Sequence, residues 1–389
     1  EAARFTPDLE VFNHHGNRRL EDPRDAEDYD LIVTSYGGLV RDAALFHATA
    51  FSLVLADEAQ HVKNRRTQAA RALRGLRAQG RFVLTGTPIE NAVADLRSLF
   101  AFLMPGYLSA IPQGAGREEQ RWFDDRHLQQ AAPYILRRTK DTVAPELPDK
   151  IEQTIYCEMP DAQLQFYNQV RQDTEKQIFD MEMAGASDAK IKFAALTQLL
   201  RLRQVCADPR ILDDRFDPGH SAKLSAFREI LEEAIDGNHR ILLFSQFTRV
   251  LGFLREFLET EGHACCYLDG STRKRQEVCD RFNHDASIPV FLISLKAGGV
   301  GLNLTGADTV VHFDPWWNPA VEAQATDRAH RIGQSRTVTS LKLIAAGTVE
   351  EKVMEIQAGK ADLLQNLFEA ADASTAKVSL EDIKALVAG

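Results

Sequence analysis

A chain of 389 residues with 44% hydrophobic content can bury more than one core, and its length alone predicts two or three domains. No apolar run approaches the roughly 18 residues of a membrane span, and Glu1 opens neither a signal peptide nor a transit peptide, so an intracellular protein with no membrane partner is expected. The five cysteines form no Cys-x-x-Cys pair and no ligand-like spacing with histidine, which excludes the usual structural metal, while a net charge of −10 argues mildly against nucleic acid unless the cations cluster.

In chain order, residues 30–34 read as a buried strand opening into Ser35-Tyr36-Gly37-Gly38. Residues 53–56 form a second strand and 82–84 a third, with helical patterns over 65–79 and 92–103. Continuous apolar strands separated by helices predict a parallel sheet covered on both faces. The second strand ends in Asp57-Glu58-Ala59-Gln60. Adjacent carboxylates at a strand end can divide labour, one holding Mg²⁺ through its water shell and the other orienting or deprotonating an attacking water; a plain acidic corner is the competing reading of these four residues alone. From Ala59 to Arg81 there are seven Lys/Arg and no acid, with Arg71, Arg74 and Arg77 at every third position of the predicted helix, either a phosphate-facing stripe or a solvated face.

Beyond Trp122-Phe123, three prolines (Pro133, Pro145, Pro148) suit a connection that does not continue a helix. Residues 163–202 are helical in pattern, broken around 185–188, and their leucines read as packing, with no chemistry assigned. A helix ending near Gly237 precedes a strand at 240–244 and its Ser245-Gln246-Phe247 end. The next strand, 264–268, leads to Asp269-Gly270-Ser271-Thr272, and Arg273-Lys274-Arg275 opens the following helix, a poor place for cations unless a phosphate is near; a solvated surface is the alternative. The strand at 289–294 ends in a Gly-rich loop, and that at 309–313 ends in Asp314-Pro315-Trp316-Trp317-Asn318-Pro319. These tryptophans are either core packing or part of a coupling loop. A predicted helix then carries Gln324, Arg328 and Arg331 at i, i+4 and i+7, so that two guanidiniums on one face could fork onto phosphate oxygens; a solvated basic helix is the alternative. Both loops begin at carboxyl ends of strands, where open α/β sheets bind ligands. A last strand at 338–345, a helix over 348–369 and a tail over 371–389 complete the chain.

Taken together, Leu295-Lys296-Ala297-Gly298-Gly299-Val300-Gly301-Leu302-Asn303-Leu304, then Asp314 to Pro319, then Gln324-x-x-Asp327-Arg328-x-x-Arg331-Ile332-Gly333-Gln334, resemble motifs V and VI of the Swi/Snf family of ATP-driven DNA translocases, in helicase superfamily two. Thr85-Gly86-Thr87-Pro88 resembles its motif III, Thr34-Ser35-Tyr36 its motif Ib and Ser245-Gln246-Phe247 its motif IV. Leu136-Arg137-Arg138-Thr139-Lys140 resembles the signature before the interlobe linker, and the stretch from about 160 to 216 is similar to the family's helical protrusions. The resemblance runs from residue 1 to about 370 and implies an α/β fold of two RecA-like lobes with parallel sheets. Residues 1–147 would form a first lobe lacking its N-terminal part, with a short helical insertion, and 148–370 the second. It further implies ATP hydrolysis with Mg²⁺ between the lobes, movement on double-stranded DNA, and displacement of a protein bound there. Catalysis would fall to Asp57, Glu58, Gln324, Arg328 and Arg331, and coupling to Gln60, Thr85, Gly86, Thr87, Trp316 and Trp317. Contact with DNA would fall to Thr34, Ser35, Ser245, Gln246, Arg273, Lys274, Ser294, Lys296, Gly298 and Gly299. The compartment would be a bacterial cytoplasm or nucleoid, or a eukaryotic nucleus.

The phosphate-cradling sequence Gly-x-x-x-x-Gly-Lys-Ser/Thr occurs nowhere in the 389 residues. The resemblance starts after that point, so we expect a motor without its upstream part, its first sheet frayed for want of an interior strand, and inactive toward ATP alone. The competing expectation is a DNA-binding scaffold that has retired its ATP chemistry. Intact Asp57, Glu58, Arg328 and Arg331 favour the motor, because a retired site has no physical need for the set.

Overall fold

The apolar runs become parallel strands. The computed structural model describes residues 2–85, 93–112, 114–138, 140–298, 301–316 and 318–355, and the chain divides into two compact units, Glu1–Arg137 and Arg138–Gly389. The division falls ahead of the boundary expected near 147. Lys140, just past it, is tied to the second unit by an ion pair to Asp327 at 2.7 Å and a hydrogen bond to the carbonyl of His330 at 2.6 Å.

In the first unit, β1 (Val11–His14) pairs with β2 (Leu31–Thr34), and β3 (Ala50–Ala56) pairs with β4 (Arg77–Val83), both in parallel. Among the described residues these are two separate two-stranded sheets. They are covered by α1 (Tyr36–Arg41), α2 (Ala43–Ala48), α3 (Gln68–Arg74) and α4 (Val93–Leu103), with α5 (Arg117–Ala131) packed on α4. Leu39, Phe46, Ala56, Val62, Leu73 and Phe102 form the core. The opposite face of the β3–β4 pair is bare: Leu53, Leu55 and Phe82 remain 48%, 55% and 57% exposed.

The helix expected over 65–79 is shorter. Thr67 caps α3 by accepting from the Ala70 N–H, and Gly75 ends it by donating to the carbonyls of Arg71 and Ala72. Arg77 then starts β4, opposite Ala50. The arginines are therefore no helical stripe. Arg71 and Arg74 donate to the carbonyls of Arg66 and Arg65, and Arg77 to that of His47, so these guanidiniums brace their own surroundings.

The second unit is organised on a six-stranded, all-parallel sheet of order β5-β10-β9-β6-β8-β7. In chain order its elements begin with β5 (Lys150–Cys157), α6 (Asp161–Met183), α7 (Asp188–Ala207), α8 (Ala222–Asp236), β6 (Ile241–Ser245), α9 (Thr248–Thr260) and β7 (Cys265–Leu268). They continue with α10 (Arg275–His284), β8 (Val290–Ser294), α11 (Leu295–Gly298), β9 (Thr309–His312), α12 (Pro319–Thr326) and β10 (Val338–Ala345). Strands β6, β8 and β9 are buried at every residue, as strands covered on both faces must be. Leu243, Leu292 and Val311 face Phe227, Leu254 and Leu258, while Leu242, Phe291 and Val310 face Cys279 and Phe282 on the other side. The insertion forms an antiparallel-connected pair, α6 and α7, with a core of Tyr167, Val170, Ile178, Ile191, Leu199 and Leu202. Among the described residues no helix is long and apolar enough to cross a membrane, and no group of three or more His, Cys, Asp or Glu could hold a metal. Most of the helix expected over 348–369, and the whole tail, lie outside the described residues.

Candidate functional site

The carboxylate corner is built by backbone geometry. β3 ends at Ala56, Asp57 is exposed, and Glu58 adopts φ 47° and ψ 50°, a left-handed conformation that a glutamate seldom occupies and that surrounding structure must impose. The imposing bonds come from both sides of the corner. The Glu58 N–H donates to Asp57 Oδ1 at 2.8 Å, and the Ala59 N–H donates to the carbonyl of Leu84 at 3.0 Å, just beyond β4. Gln60, in the following turn, donates Nε2 to Glu58 Oε2 at 2.7 Å and accepts from the Thr85 hydroxyl at 3.0 Å. That orientation is chemically fixed, since a carboxylate only accepts and the hydroxyl can give its proton to the amide oxygen. Glu58, Gln60 and Thr85 are thereby one relay; Gly86 and Thr87 lie outside the described residues.

Tyr36 belongs to the same corner, although the sequence marks it only as the neighbour of Thr34 and Ser35. Its hydroxyl donates to the Asp57 carbonyl at 2.7 Å, and its pKa is pushed up to about 12 by burial, helped by the Asp57 and Glu58 carboxylates. Ser35 is exposed and caps α1, accepting from the Gly38 N–H, while Thr34 donates to the carbonyl of His14. An exposed carboxylate beside a second one, with no metal-holding group of His, Cys, Asp or Glu among the described residues, suits a cation that keeps its waters, as Mg²⁺ does, better than a metal caged by side chains.

In the second unit, the helix expected to carry Gln324, Arg328 and Arg331 on one face stops at Thr326, so only Gln324 is helical. Asn318 caps α12 by accepting from the Ala320 N–H, with Pro319 at its first position. Past Thr326 the chain tightens into turns, the Arg328 N–H reaching Ala325 and the Ala329 N–H reaching Thr326. The carbonyls released there are taken by the Gly-rich loop and by Gln334. Leu304 N–H donates to the Arg328 carbonyl at 3.0 Å, and Gln334 Nε2 donates to Ala307 at 2.7 Å and to Ala329 at 3.2 Å. Arg331 is exposed and gives Nη1 to the Leu302 carbonyl at 3.4 Å; Arg328 is buried. Leu304, Arg331 and Gln334 thus together pin one motif to the other.

The expected DNA contacts separate into two groups. Arg273, Lys274 and Lys296 are exposed, Lys274 pairing with Glu277 at 2.8 Å. Ser245 and Ser294 are buried, which corrects the expectation for their side chains. The reason is register: each closes a strand whose every residue is covered. The Ser245 hydroxyl donates to Asp314 Oδ1, and half-buried Gln246 donates Nε2 to Asp314 Oδ2 at 2.7 Å. Gly298 ends α11; Gly299 and Trp317 lie outside the described residues. Trp316 packs partly against the core beside β6 and β8, and its backbone N–H donates to the buried carboxylate of Glu322 at 2.7 Å.

Comparison with known proteins shows the family and the fold. Residues 1–211 match the SNF2-related domain, and residues 222–333 match the helicase conserved C-terminal domain. The chain is 39% identical over 343 residues to an uncharacterized ATP-dependent helicase of Mycoplasma pneumoniae, covering 86% of this chain and 32% of that protein. It is 36% identical over 374 residues to a putative ATP-dependent helicase/translocase of Bacillus subtilis, covering 91% of this chain and 40% of that one. The chain therefore spans well under half the length of these curated relatives. The SWI2/SNF2 ATPase core of Sulfolobus solfataricus, in complex with dsDNA, is 32% identical with a TM-score of 0.53, covering 99% of this chain and 82% of that chain.

Proposed function

The chain belongs to the SNF2-related domain family, and from that premise we propose that it is motor machinery of an ATP-driven double-stranded DNA translocase, one that uses hydrolysis to move on duplex and to displace or remodel a protein seated there. The observation that carries this reading is Glu58, held in a left-handed backbone conformation with its carboxylate tied through Gln60 to Thr85. Such strain costs on the order of 1–3 kcal/mol and persists where a function uses it, which favours a working site over a retired scaffold.

Bound with ATP, Mg²⁺ would neutralise phosphate charge, and Asp57 would hold it through its water shell. Glu58 orients the attacking water and takes its proton as the water oxygen bonds to the γ-phosphorus and the bond to the ADP oxygen breaks. Arg328 and Arg331, with Gln324, meet the charge developing on the transferring phosphoryl group. Gln60 and Thr85 pass the state of Glu58 to the end of β4, the coupling role. Lys296, Arg273, Lys274 and Ser35, all exposed, bind the duplex through its phosphates.

The test is ATP turnover with and without duplex DNA, in a protein carrying these residues together with an upstream phosphate-binding loop. Duplex is expected to stimulate turnover, and Glu58→Gln to abolish it. The 389 residues alone, which contain no such loop sequence, are expected to give no DNA-stimulated hydrolysis. Turnover by the purified chain that Glu58→Gln removes would overturn that second expectation.

A further inference from the structure

The helix pair α6–α7 reads from sequence as packing alone, yet it sends one charged side chain into the interior of the second unit. Arg203, on α7, is 1% exposed. Its guanidinium divides between two loops: Nη1 donates to Gln246 Oε1 at 3.0 Å, and Nη2 donates to the backbone carbonyl of Pro315. These loops follow β6 and β9, neighbouring strands of the sheet, at their carboxyl ends. Gln246 also donates to Asp314, the residue before Pro315, so Arg203, Gln246 and Asp314 close a ring of polar contacts across both loops. The next residue is held too, since the Trp316 N–H donates to Glu322, whose other oxygen pairs with Lys342 of β10 at 2.9 Å. Three consecutive residues, 314 to 316, are each fixed by a side chain from elsewhere in the fold. The loop they form leads directly into α12, hence to Gln324 and on to Arg328 and Arg331.

Burying a guanidinium is costly, and its planar fork is suited to satisfying two acceptors set apart. We propose that Arg203 is a positioning residue for DNA-coupled ATP hydrolysis: it staples the Gln246 loop to the Asp314–Trp316 loop, so that the DNA-facing edge and the arginine segment move as one body with α7. This rests on the motor reading above. It makes the α6–α7 pair a part of the coupling machinery, because a displacement of α7 shifts the guanidinium and both loops with it. A lysine at 203 reproduces the staple only in part, since a single ammonium, reaching no farther than the guanidinium, lacks the planar fork that serves both acceptors at once.

The experiment compares basal and duplex-stimulated ATP turnover in the phosphate-loop-bearing protein, with Arg203 intact, Arg203→Met and Arg203→Lys. Amide exchange over residues 314–316 and over β6 and β8 is followed in each. The expected result for Arg203→Met is a fall of about threefold to thirtyfold in the ratio of stimulated to basal turnover, the range of coupling changes that a non-contacting residue produces. Basal turnover and the protection of β6 and β8 stay in place, exchange over 314–316 quickens, and Arg203→Lys falls between. An unchanged ratio in both variants, or parallel loss of basal and stimulated turnover in a sheet that keeps its protection, overturns the assignment. Should Arg203→Met lose the protection of β6 and β8, Arg203→Lys decides alone: a lowered ratio with faster loop exchange supports the staple, and an unchanged ratio overturns it. If the protein with Arg203 intact shows no stimulation by duplex, the motor reading itself fails, and the coupling role with it.

Discussion

Lys223 and Glu350 offer the most quantitative test of how the second unit is held together. Both side chains are fully buried, Lys223 Nζ lies 2.6 Å from Glu350 Oε2, and the lysine also donates to the Phe313 carbonyl at 2.9 Å. Glu350 in turn accepts from the Ala345 N–H at 3.0 Å. The pair therefore ties the start of α8 and the end of β10 to the residue before Asp314. Removing one partner leaves the other charge buried and uncompensated, at a cost of about 3–5 kcal/mol, so Lys223→Met and Glu350→Gln should each destabilise by that much. For a body of roughly 150–250 residues, each kcal/mol lowers the melting temperature by about 2–4 °C, which gives about 6–20 °C per single variant. The double variant removes both charges and should recover most of the loss, since the desolvation penalty goes with the attraction. Urea titration read by amide exchange of β6 and β8 reports the second unit by itself. Single losses below about 1 kcal/mol, or a double variant whose loss equals the sum of the singles, would refute the argument.

Two further outcomes follow from the site and the first unit. Arg331→Ala in the phosphate-loop-bearing protein should lower duplex-stimulated turnover at least about a hundredfold with ATP affinity little changed, and Arg331→Lys should rescue poorly; retention of most of the turnover would remove Arg331 from the chemistry. Amides of β3 and β4 should exchange faster than those of β6 and β8, because a two-stranded sheet with Leu53, Leu55 and Phe82 exposed has little to resist opening, and equal protection would contradict this.

The sequence carried the second sheet well. Strands β6, β8 and β9 stand out as apolar runs because central parallel strands are covered twice, and the structure sets these three and the more mixed β10 within a residue or so of their expected limits. β5 escaped notice because it is an edge strand: Lys150-Ile-Glu-Gln-Thr-Ile-Tyr-Cys157 is largely exposed and has no apolar run to detect. The end of α12 was hidden for a different reason. Its helical pattern continues to Arg331, but the carbonyls of Arg328 and Ala329 are claimed by Leu304 and Gln334, and partners that distant in sequence leave no local trace. Arg203 and Tyr36 are similar cases. Arg203 follows directly on the expected helical pattern and Tyr36 lies in the segment after a strand, and neither shows its role until its bonds to another segment are seen.

Ser245 and Lys296 are both expected at the DNA from their motifs, yet one is buried and the other exposed, and they can be set against each other. Ser245 closes β6 in a fully covered register, and its hydroxyl is spent on Asp314 while accepting from the Phe247 N–H at 3.1 Å. Lys296 stands exposed on α11, two residues past the buried end of the adjacent strand β8. Ser245→Ala should thus leave a buried carboxylate short of a donor and cost about 1–3 kcal/mol of stability, with no change in how duplex binding responds to salt. Lys296→Ala should leave stability alone, weaken duplexes of every sequence about equally, and lower the slope of log K against log salt by about one, the signature of one lost phosphate contact. Duplex binding measured across a salt series for both variants separates the two roles. A reduced salt slope for Ser245→Ala would restore that hydroxyl to the DNA interface, and a strong preference among length-matched duplexes that Lys296→Ala relaxes would replace phosphate contact with base reading.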